Sequence, residues 1–286
     1  MVAYSDKQDN HIALRGGAQK QITKKDEEYK TFFVELDRTF PLLGQAARKQ
    51  GYDLPKPFGV SMVTMLQSTT LHMTSFELDG EDVSGIIGGK DAKVDSTAGA
   101  MLVRADMWLL PFLNVGVILG TTESSNDISL QWFPEGGLGG IIKPGEKFTL
   151  EDSQAESFVY GGGATVAGGI GDFFATIDFQ YITAYTKVAD AELSMFILTP
   201  MVGYNFTDYG ARVLIGAQYQ DQKEQIVAKL TNDAGEVRTA IVGLRSDKWA
   251  GLIGVDKTFN RHWSGSVMYT LGEDRSNLNL VVGYRF

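Results

Sequence analysis

Acid–base chemistry in this sequence would have to rest on histidine or carboxylate side chains, because the chain has no cysteine and only three histidines. His11 lies in a polar lead-in and His262 in a short turn, whereas His72 has hydroxyl and acidic neighbours such as Ser75 and Glu77. A hydrolase located at a membrane surface could use such a histidine as a general base. A solvated histidine on a strand is the simpler interpretation, so we expect no catalytic residue.

A second set of candidate residues consists of polar side chains that alternate with apolar ones along the predicted strands. Mixed charges on one face of a strand can line a solute path or can neutralise one another across strands. Three arginines and three aspartates in this set favour mutual neutralisation. The candidate lumen-lining residues are Arg104, Asp106, Trp108, Asp178, Gln180, Arg212, Gln218, Asp256 and Arg285.

The composition excludes several other classes of protein. A net charge of -9 provides no basic field for phosphates, so we expect no nucleic-acid partner. The absence of cysteine excludes disulfides and thiolate metal sites, and we expect neither a metal nor a cofactor. The longest apolar stretch, 107–120, contains Pro111 and Asn114 and is shorter than the roughly 18 residues that a membrane-spanning helix needs.

The region after Pro57 has the two-residue period of β-strands, and this period continues to the last residue. It predicts an all-β fold of about ten antiparallel strands, with twelve as the alternative. In strand 58–79 the apolar parity changes, which predicts a β-bulge near residues 67–70. The predicted strands cover residues 58–79, 95–111, 113–122, 156–171, 173–188, 194–206, 210–224, 247–259, 262–272 and 277–286.

Short and long connections alternate between these strands. The long ones are 80–94, 123–155 and 225–246, and the tight ones are 111–114, 171–173, 207–210 and 260–262. This asymmetry, together with outward aromatic residues near the strand ends, is typical of transmembrane up-and-down β-barrels with short periplasmic turns. Loop 123–155 is the best candidate surface for contact with a ligand or another protein.

The first part of the chain, 1–56, has a different pattern from the barrel region, 57–286. Apolar residues at three- and four-residue steps predict an amphipathic helix over 24–50, bent or broken at Pro41. Inward-facing glycines would leave room for this helix inside the lumen, and a cap under the periplasmic mouth is the alternative. Because no apolar segment opens the sequence, we expect a signal peptide to be missing from it. The plug residues would be Phe32, Phe33, Leu36 and Phe40.

The last nine residues, Leu-x-Leu-x-Val-x-Tyr-x-Phe, place Tyr284 and Phe286 on one face of the final strand. This ending resembles the C-terminal strand signature of Gram-negative outer-membrane β-barrel proteins. The resemblance implies that Tyr284 and Phe286 are read by the barrel-assembly machinery. It also implies an outer-membrane location, in contact with lipid and lipopolysaccharide.

The sequence supports more than one function for such a barrel. A polar lumen with many glycines predicts a channel for a small solute or apolar ligand, gated or plugged by the N-terminal helix. A surface-interaction or structural protein without transport is the first alternative, and a hydrolase at the rim is the second. A soluble antiparallel protein is the structural alternative, because soluble sheets also alternate.

Overall fold

A computed structural model of the chain describes residues 39–49, 54–82, 84, 93–131, 147–186, 191–222, 224–231 and 237–286. Within these ranges the helical elements are one short helix and a single 3-10 turn, Thr207–Tyr209. The helix is α1 (Gly44–Lys49), and the strands are β1 (Phe58–Leu78), β2 (Glu81–Asp82), β3 (Lys93–Leu110), β4 (Leu113–Gln131), β5 (Lys147–Ile170), β6 (Phe173–Thr186), β7 (Ala191–Phe206), β8 (Ala211–Gln222), β9 (Glu224–Thr231), β10 (Val237–Arg245), β11 (Trp249–Thr258), β12 (Trp263–Leu271) and β13 (Arg275–Arg285).

Ten of these strands form a closed antiparallel barrel. Starting from β1 they follow the order β3, β4, β5, β6, β7, β8, β11, β12 and β13. The barrel closes where β13 pairs with β1, from Gly59 opposite Arg285 to Thr69 opposite Arg275. The predicted all-β barrel of ten strands is therefore confirmed. Closure leaves no unpaired edge around the barrel wall.

Residues along each barrel strand face alternately outward and inward. In β6 the side chains of Phe173, Ile177 and Phe179 are exposed, whereas those of Phe174 and Asp178 are buried. This alternation follows from the two-residue period of a strand whose two faces meet different surroundings. The outer face is apolar and exposed, and the inner face carries both polar and apolar side chains.

The predicted loop 225–246 contains a hairpin that the sequence did not indicate. Strand β10 pairs with β9 and, from His72 to Leu78, with the upper end of β1. This pairing lies beyond Thr69, where β13 stops pairing with β1. The connection between β12 and β13 is short, so the hairpin β9–β10 continues the wall above it.

Two further sequence predictions were wrong in position. The long loop 123–155 is much shorter, because β4 continues to Gln131 and β5 begins at Lys147. The bulge is not at 67–70, since β1 pairs without interruption through Thr69, and its register shifts between Met73 and Ser75. The buried side chain of Leu71 instead faces the lumen, where apolar residues are also accommodated.

The predicted helix 24–50 is described only from residue 39 to residue 49. Within 39–49 helical backbone is confined to Gly44–Lys49, and residues 39–43 are not helical. Phe32, Phe33 and Leu36 lie outside the described residues. Among the helices in the described ranges, none has the length and apolar character to span a membrane.

Candidate functional site: the barrel lumen

An ion pair near the periplasmic mouth joins the last strand to the third. In the register, Gly59 of β1 lies between Asp106 of β3 and Arg285 of β13. Because glycine has no side chain, the two charged groups meet across it, with Arg285 Nη1 2.9 Å from Asp106 Oδ1. A Cβ atom at position 59 would lie 2.8 Å from both side chains. A side chain at position 59 would therefore displace the ends of both charged groups from this geometry.

Arg104 and Asp178 form a second ion pair, which Asn114 connects to the first. Arg104 Nη1 lies 3.5 Å from Asp178 Oδ1, and Arg104 Nη2 donates to Asn114 Oδ1 at 3.2 Å. The amide nitrogen of Asn114 donates in turn to the aspartate of the first pair. Gln180 and Thr165 donate their side-chain hydrogens to Asp178. The two pairs thus belong to one hydrogen-bonded network whose members lie on the inner face of β3, β4, β5, β6 and β13.

A third ion pair lies apart from this network. Arg212 and Asp256 are direct neighbours on β8 and β11, and Arg212 Nη2 is 2.8 Å from Asp256 Oδ1. The guanidinium group also lies 5.6 Å from the ring centre of Phe174, a favourable cation–π distance. The six charges selected from the sequence therefore occur as three pairs of opposite sign.

Large apolar side chains cover the inward glycines on one side of the lumen. A Cβ atom at Gly203 would lie 2.5 Å from Phe174, and one at Gly254 would lie 2.8 Å from Leu214. We predicted that these glycines leave the lumen open, but here they let bulky neighbours lie flat on the wall. We call this group the apolar strip, and its members are Phe174, Met201, Leu214, Leu252 and Met268. A second apolar cluster on another part of the inner wall contains Ala100, Leu102, Ile118 and Val159.

The extracellular half of the lumen contains a fourth inward-facing arginine, Arg275, which is 3% exposed. None of the ion pairs among the described residues includes it. Its Nη2 donates to the main-chain oxygen of Gln218 at 3.4 Å, while Nε and Nη1 have no partner in the described part of the chain. Thr270 Oγ1 and Asn277 Oδ1 on the same inner face also lack a partner there.

The periplasmic mouth is covered by residues 39–49 and 54–57, which we call the mouth segment. Leu54 is buried against Trp108 and Ala167 of the barrel, and Ala47 of α1 packs on the same group. Trp108 is only 2% exposed, so these apolar contacts cover its side chain on the inner face. This position corresponds to the cap under the mouth that was the alternative to a plug.

Hydrogen bonds attach the mouth segment to the barrel as well. Arg285 Nε donates to the main-chain oxygen of Lys56 at 2.9 Å, and Arg285 Nη2 donates to that of Pro57 at 3.2 Å. The Leu42 amide donates to the Leu109 oxygen at 2.9 Å. One arginine thus holds both the ion pair and the mouth segment.

Phe40, predicted to be part of the plug, lies at the outer rim instead of in the lumen. Its ring packs edge-on against Phe58, with 6.1 Å between the ring centres. Phe58 faces outward and stacks on Phe286 at 6.0 Å. The plug itself stays a prediction, because its other residues lie outside the described ranges.

His72 lies on the outward face of β1 near the extracellular end. Its Nε2 is 2.9 Å from Asp274 Oδ1, and Asp274 Oδ2 accepts from the Asp247 amide at 3.0 Å. Asp274 therefore links β1 to the connection that follows the hairpin β9–β10. A histidine acting as a general base would need a nucleophile beside it, and this contact is explained by anchoring alone.

Charged groups at the extracellular rim interact with each other. Lys248 Nζ lies 2.8 Å from Asp221 Oδ1, and the bonds to this carboxylate and to the Tyr219 hydroxyl raise the pKa of Lys248. The hydroxyl and amide of Ser84 donate to Asp82 and lower the pKa of that carboxyl. Both groups therefore keep their charges around neutral pH.

The outer face of the barrel carries a continuous apolar belt with aromatic residues at both ends. Near the periplasmic turns, the rings of Phe173 and Tyr204 are 5.1 Å apart, and at the opposite end those of Tyr219 and Trp249 are 5.1 Å apart. Between these girdles the exposed side chains include Met62, Val103, Val117, Val202, Ile215, Ile253, Val255, Val267 and Val282. A closed barrel with such a belt satisfies its backbone internally and matches a lipid bilayer. The chain has the fold and the outer surface of a transmembrane β-barrel.

Comparison with known proteins adds only a general likeness in fold. No protein-family model matches the chain, and no curated protein matches it in sequence. The outer membrane protein OprG from Pseudomonas aeruginosa is 11% identical with a TM-score of 0.41, covering 82% of this chain and 100% of that chain. An outer membrane channel from Pseudomonas putida F1 is 13% identical with a TM-score of 0.37, covering 88% and 100%. The transport unit of the autotransporter AIDA-I from Escherichia coli is 12% identical with a TM-score of 0.37, covering 93% and 100%.

The structure places all nine residues selected for the lumen on the inner face of the barrel. It brings Arg104, Asp106, Asp178 and Arg285 into one network and leaves Gln218 in the extracellular half. Arg275 was missed, because the predicted last strand began two residues later. Extending its alternation backwards would have assigned Arg275 to the inner face.

Tyr284 and Phe286 lie on the outer face at the periplasmic end, as the alternation of the last strand predicted. The ring of Tyr284 is 5.0 Å from Trp263 and 6.3 Å from Phe286. Recognition of these two residues by the assembly machinery stays a prediction, as do the contacts with lipopolysaccharide.

Proposed function

We propose that this barrel conducts small solutes across the outer membrane and that the mouth segment closes it at the periplasmic end. The observation that carries the proposal is an inner wall with buried polar atoms that no described protein group satisfies. Such atoms lie on Gln218, Thr270 and Asn277 in the extracellular half and on Trp108, Thr176 and Thr258 in the periplasmic half. The six charges of the periplasmic half form ion pairs, and the mouth segment packs on the inner wall at Trp108. Buried polar atoms in proteins are almost always satisfied, so a protein would keep such atoms where water or a solute enters.

The contacts that hold the mouth segment are few enough to be reversible. Burial of Leu54 against Trp108 is worth about 1.5–3 kcal/mol. The two hydrogen bonds from Arg285 to main-chain oxygens add about 1.5–3 kcal/mol each at most. A closed state favoured by a few kcal/mol is typical of two-state conformational equilibria in proteins.

Single-channel recording in planar bilayers tests this proposal. We expect rare openings for the full chain and many more for Trp108→Ala, because this substitution removes the surface on which Leu54 packs. Phe112→Ala is the matched control, since Phe112 is 47% exposed at a periplasmic turn. Absence of conductance in all three proteins, with each shown to be folded by heat-modifiable migration in gels, would reject a channel.

A role in surface interaction without transport is the second candidate. It is favoured by β4 and β5, whose 19 and 24 residues exceed the roughly 9–11 residues that cross a bilayer. Their paired upper parts run from Glu123 opposite Glu156 to Gln131 opposite Lys147. Replacing residues 124–155 with a two-residue turn should abolish binding to a partner surface and leave the barrel folded. Unchanged adhesion of cells carrying the shortened protein would count against this role.

A further inference from the structure

We infer that Arg275 binds the carboxylate of a small organic anion inside the lumen, with the apolar part of that solute lying on the apolar strip. This inference rests on the proposed channel function and names its solute class. It is carried by the charge, the free donors and the neighbours of Arg275.

Arg275 is the inward-facing arginine whose charge the described residues do not balance. The arginines at 104, 212 and 285 have aspartate partners at 3.5, 2.8 and 2.9 Å. An uncompensated buried charge is costly, and proteins normally pair it or bind an ion there. Among the inward-facing charged side chains that the structure describes, Arg275 therefore contributes one excess positive charge, and it is located in the extracellular half.

The side chain of Arg275 is held on the wall with donors to spare. The neighbouring inward positions are Gly272, which follows β12, and Ala250 of β11, and a Cβ atom at Gly272 would lie 3.1 Å from the Ala250 Cβ. These small residues allow the arginine to reach the main-chain oxygen of Gln218 at 3.4 Å. A guanidinium group has five N–H donors, and those on Nε and Nη1 have no partner in the described part of the chain. Carboxylates match this planar set of donors.

The polar surroundings of Arg275 border directly on the apolar strip. Asn277 lies two residues after Arg275 and is paired with Thr270 of β12. Thr270 is paired on its other side with Leu252, a member of the apolar strip. A solute that satisfies both surfaces carries a single carboxylate and a compact apolar body. Short aliphatic or aromatic monocarboxylates have this chemistry.

Binding of benzoate to the full-length protein in detergent micelles tests the inference. We expect calorimetry to detect binding of benzoate. Binding of benzyl alcohol, which lacks the charge, and of acetate, which lacks the apolar body, should be much weaker. Arg275→Met should weaken benzoate binding about 10- to 100-fold, because hydrogen bonds to a charged group are lost. Lys248→Met removes the same charge from the extracellular rim and should leave benzoate binding unchanged.

Stability without ligand gives a second and independent readout. If Arg275 is a binding residue, Arg275→Met removes an uncompensated buried charge, and the urea midpoint should stay the same or rise. An arginine with a purely structural role would give a lower midpoint. A lower midpoint together with unchanged benzoate binding would overturn the inference.

The outcomes separate this inference from the proposed function. Benzoate binding that depends on Arg275, without flux of any solute into proteoliposomes, would reject the channel and keep the site. Flux of benzoate and benzyl alcohol at equal rates, unchanged in Arg275→Met, would keep the channel and reject the site. Inorganic phosphate competing as well as benzoate would overturn the monocarboxylate assignment.

Discussion

Replacing Asp106 with alanine is the most direct test of the buried network at the periplasmic end. Asp106 is 6% exposed and accepts hydrogen bonds from Arg285 and Asn114. Removing one member of a buried ion pair typically costs about 3–5 kcal/mol. Arg285 keeps its hydrogen bonds to the main-chain oxygens of Lys56 and Pro57, so we expect the lower end of this range, about 3 kcal/mol.

A double-mutant cycle separates the pair from its surroundings. The free energy of unfolding is measured by urea titration of protein refolded in phospholipid vesicles, followed by tryptophan fluorescence. For Asp106→Ala combined with Arg285→Met we expect a coupling energy of about 1–3 kcal/mol. The matched control is Asp221→Ala, because Asp221 and Lys248 form a pair whose side chains are 41% and 53% exposed, and such pairs contribute less than about 1 kcal/mol. Equal costs for Asp106→Ala and Asp221→Ala, or a coupling energy below about 0.5 kcal/mol, would refute the reasoning.

Further predictions concern the outer wall, the inner glycines and the extracellular hairpin. Val282→Arg puts a charge in the middle of the apolar belt and should lower the free energy of unfolding by about 2–4 kcal/mol. Ser276→Arg, on the same face near the rim, should lower it by about 0–1 kcal/mol; equal costs in vesicles would contradict a bilayer centred on the apolar belt. Gly216→Ala should lower the free energy of unfolding by about 1–3 kcal/mol in the same urea titration, because the new Cβ would lie 2.2 Å from the main-chain oxygen of the neighbouring proline. Gly251→Ala should leave it unchanged, because the nearest atom to that Cβ is 3.6 Å away. Asp274→Ala should weaken attachment of the hairpin β9–β10 by about 1–2 kcal/mol and raise its rate of proteolysis in the folded barrel roughly 5- to 30-fold; an unchanged cleavage rate would show that strand pairing alone holds it.

The barrel could be predicted from the sequence wherever one face of a strand meets lipid and the other meets the lumen. Strand β6 was predicted over 173–188 and lies at Phe173–Thr186. The sequences of the upper parts of β4 and β5 are largely polar and lack this alternation. The upper parts of β4 and β5 were therefore mistaken for a loop. Pairing of β10 with β1 joins residues far apart in sequence, and no local pattern indicates it.

The candidate site was predictable in composition but not in arrangement. Alternation gave the inward direction of Arg104, Asp106 and Arg285, but it could not tell which aspartate lies beside which arginine. That depends on the stagger between strands, which is a property of the closed barrel. The role of Gly59 follows only from this stagger, since it places the glycine between two charged neighbours.

The seam between β1 and β13 has consequences for how long the folded barrel survives. At the periplasmic end, Arg285 of β13 reaches across β1 to Asp106 of β3, and at the extracellular end β10 occupies the part of β1 beyond Thr69. Separation of the seam must therefore break contacts with a third strand near either end, in addition to the hydrogen bonds of the seam itself. The unfolding rate, rather than the equilibrium constant of folding, then governs how long the folded protein persists in the membrane.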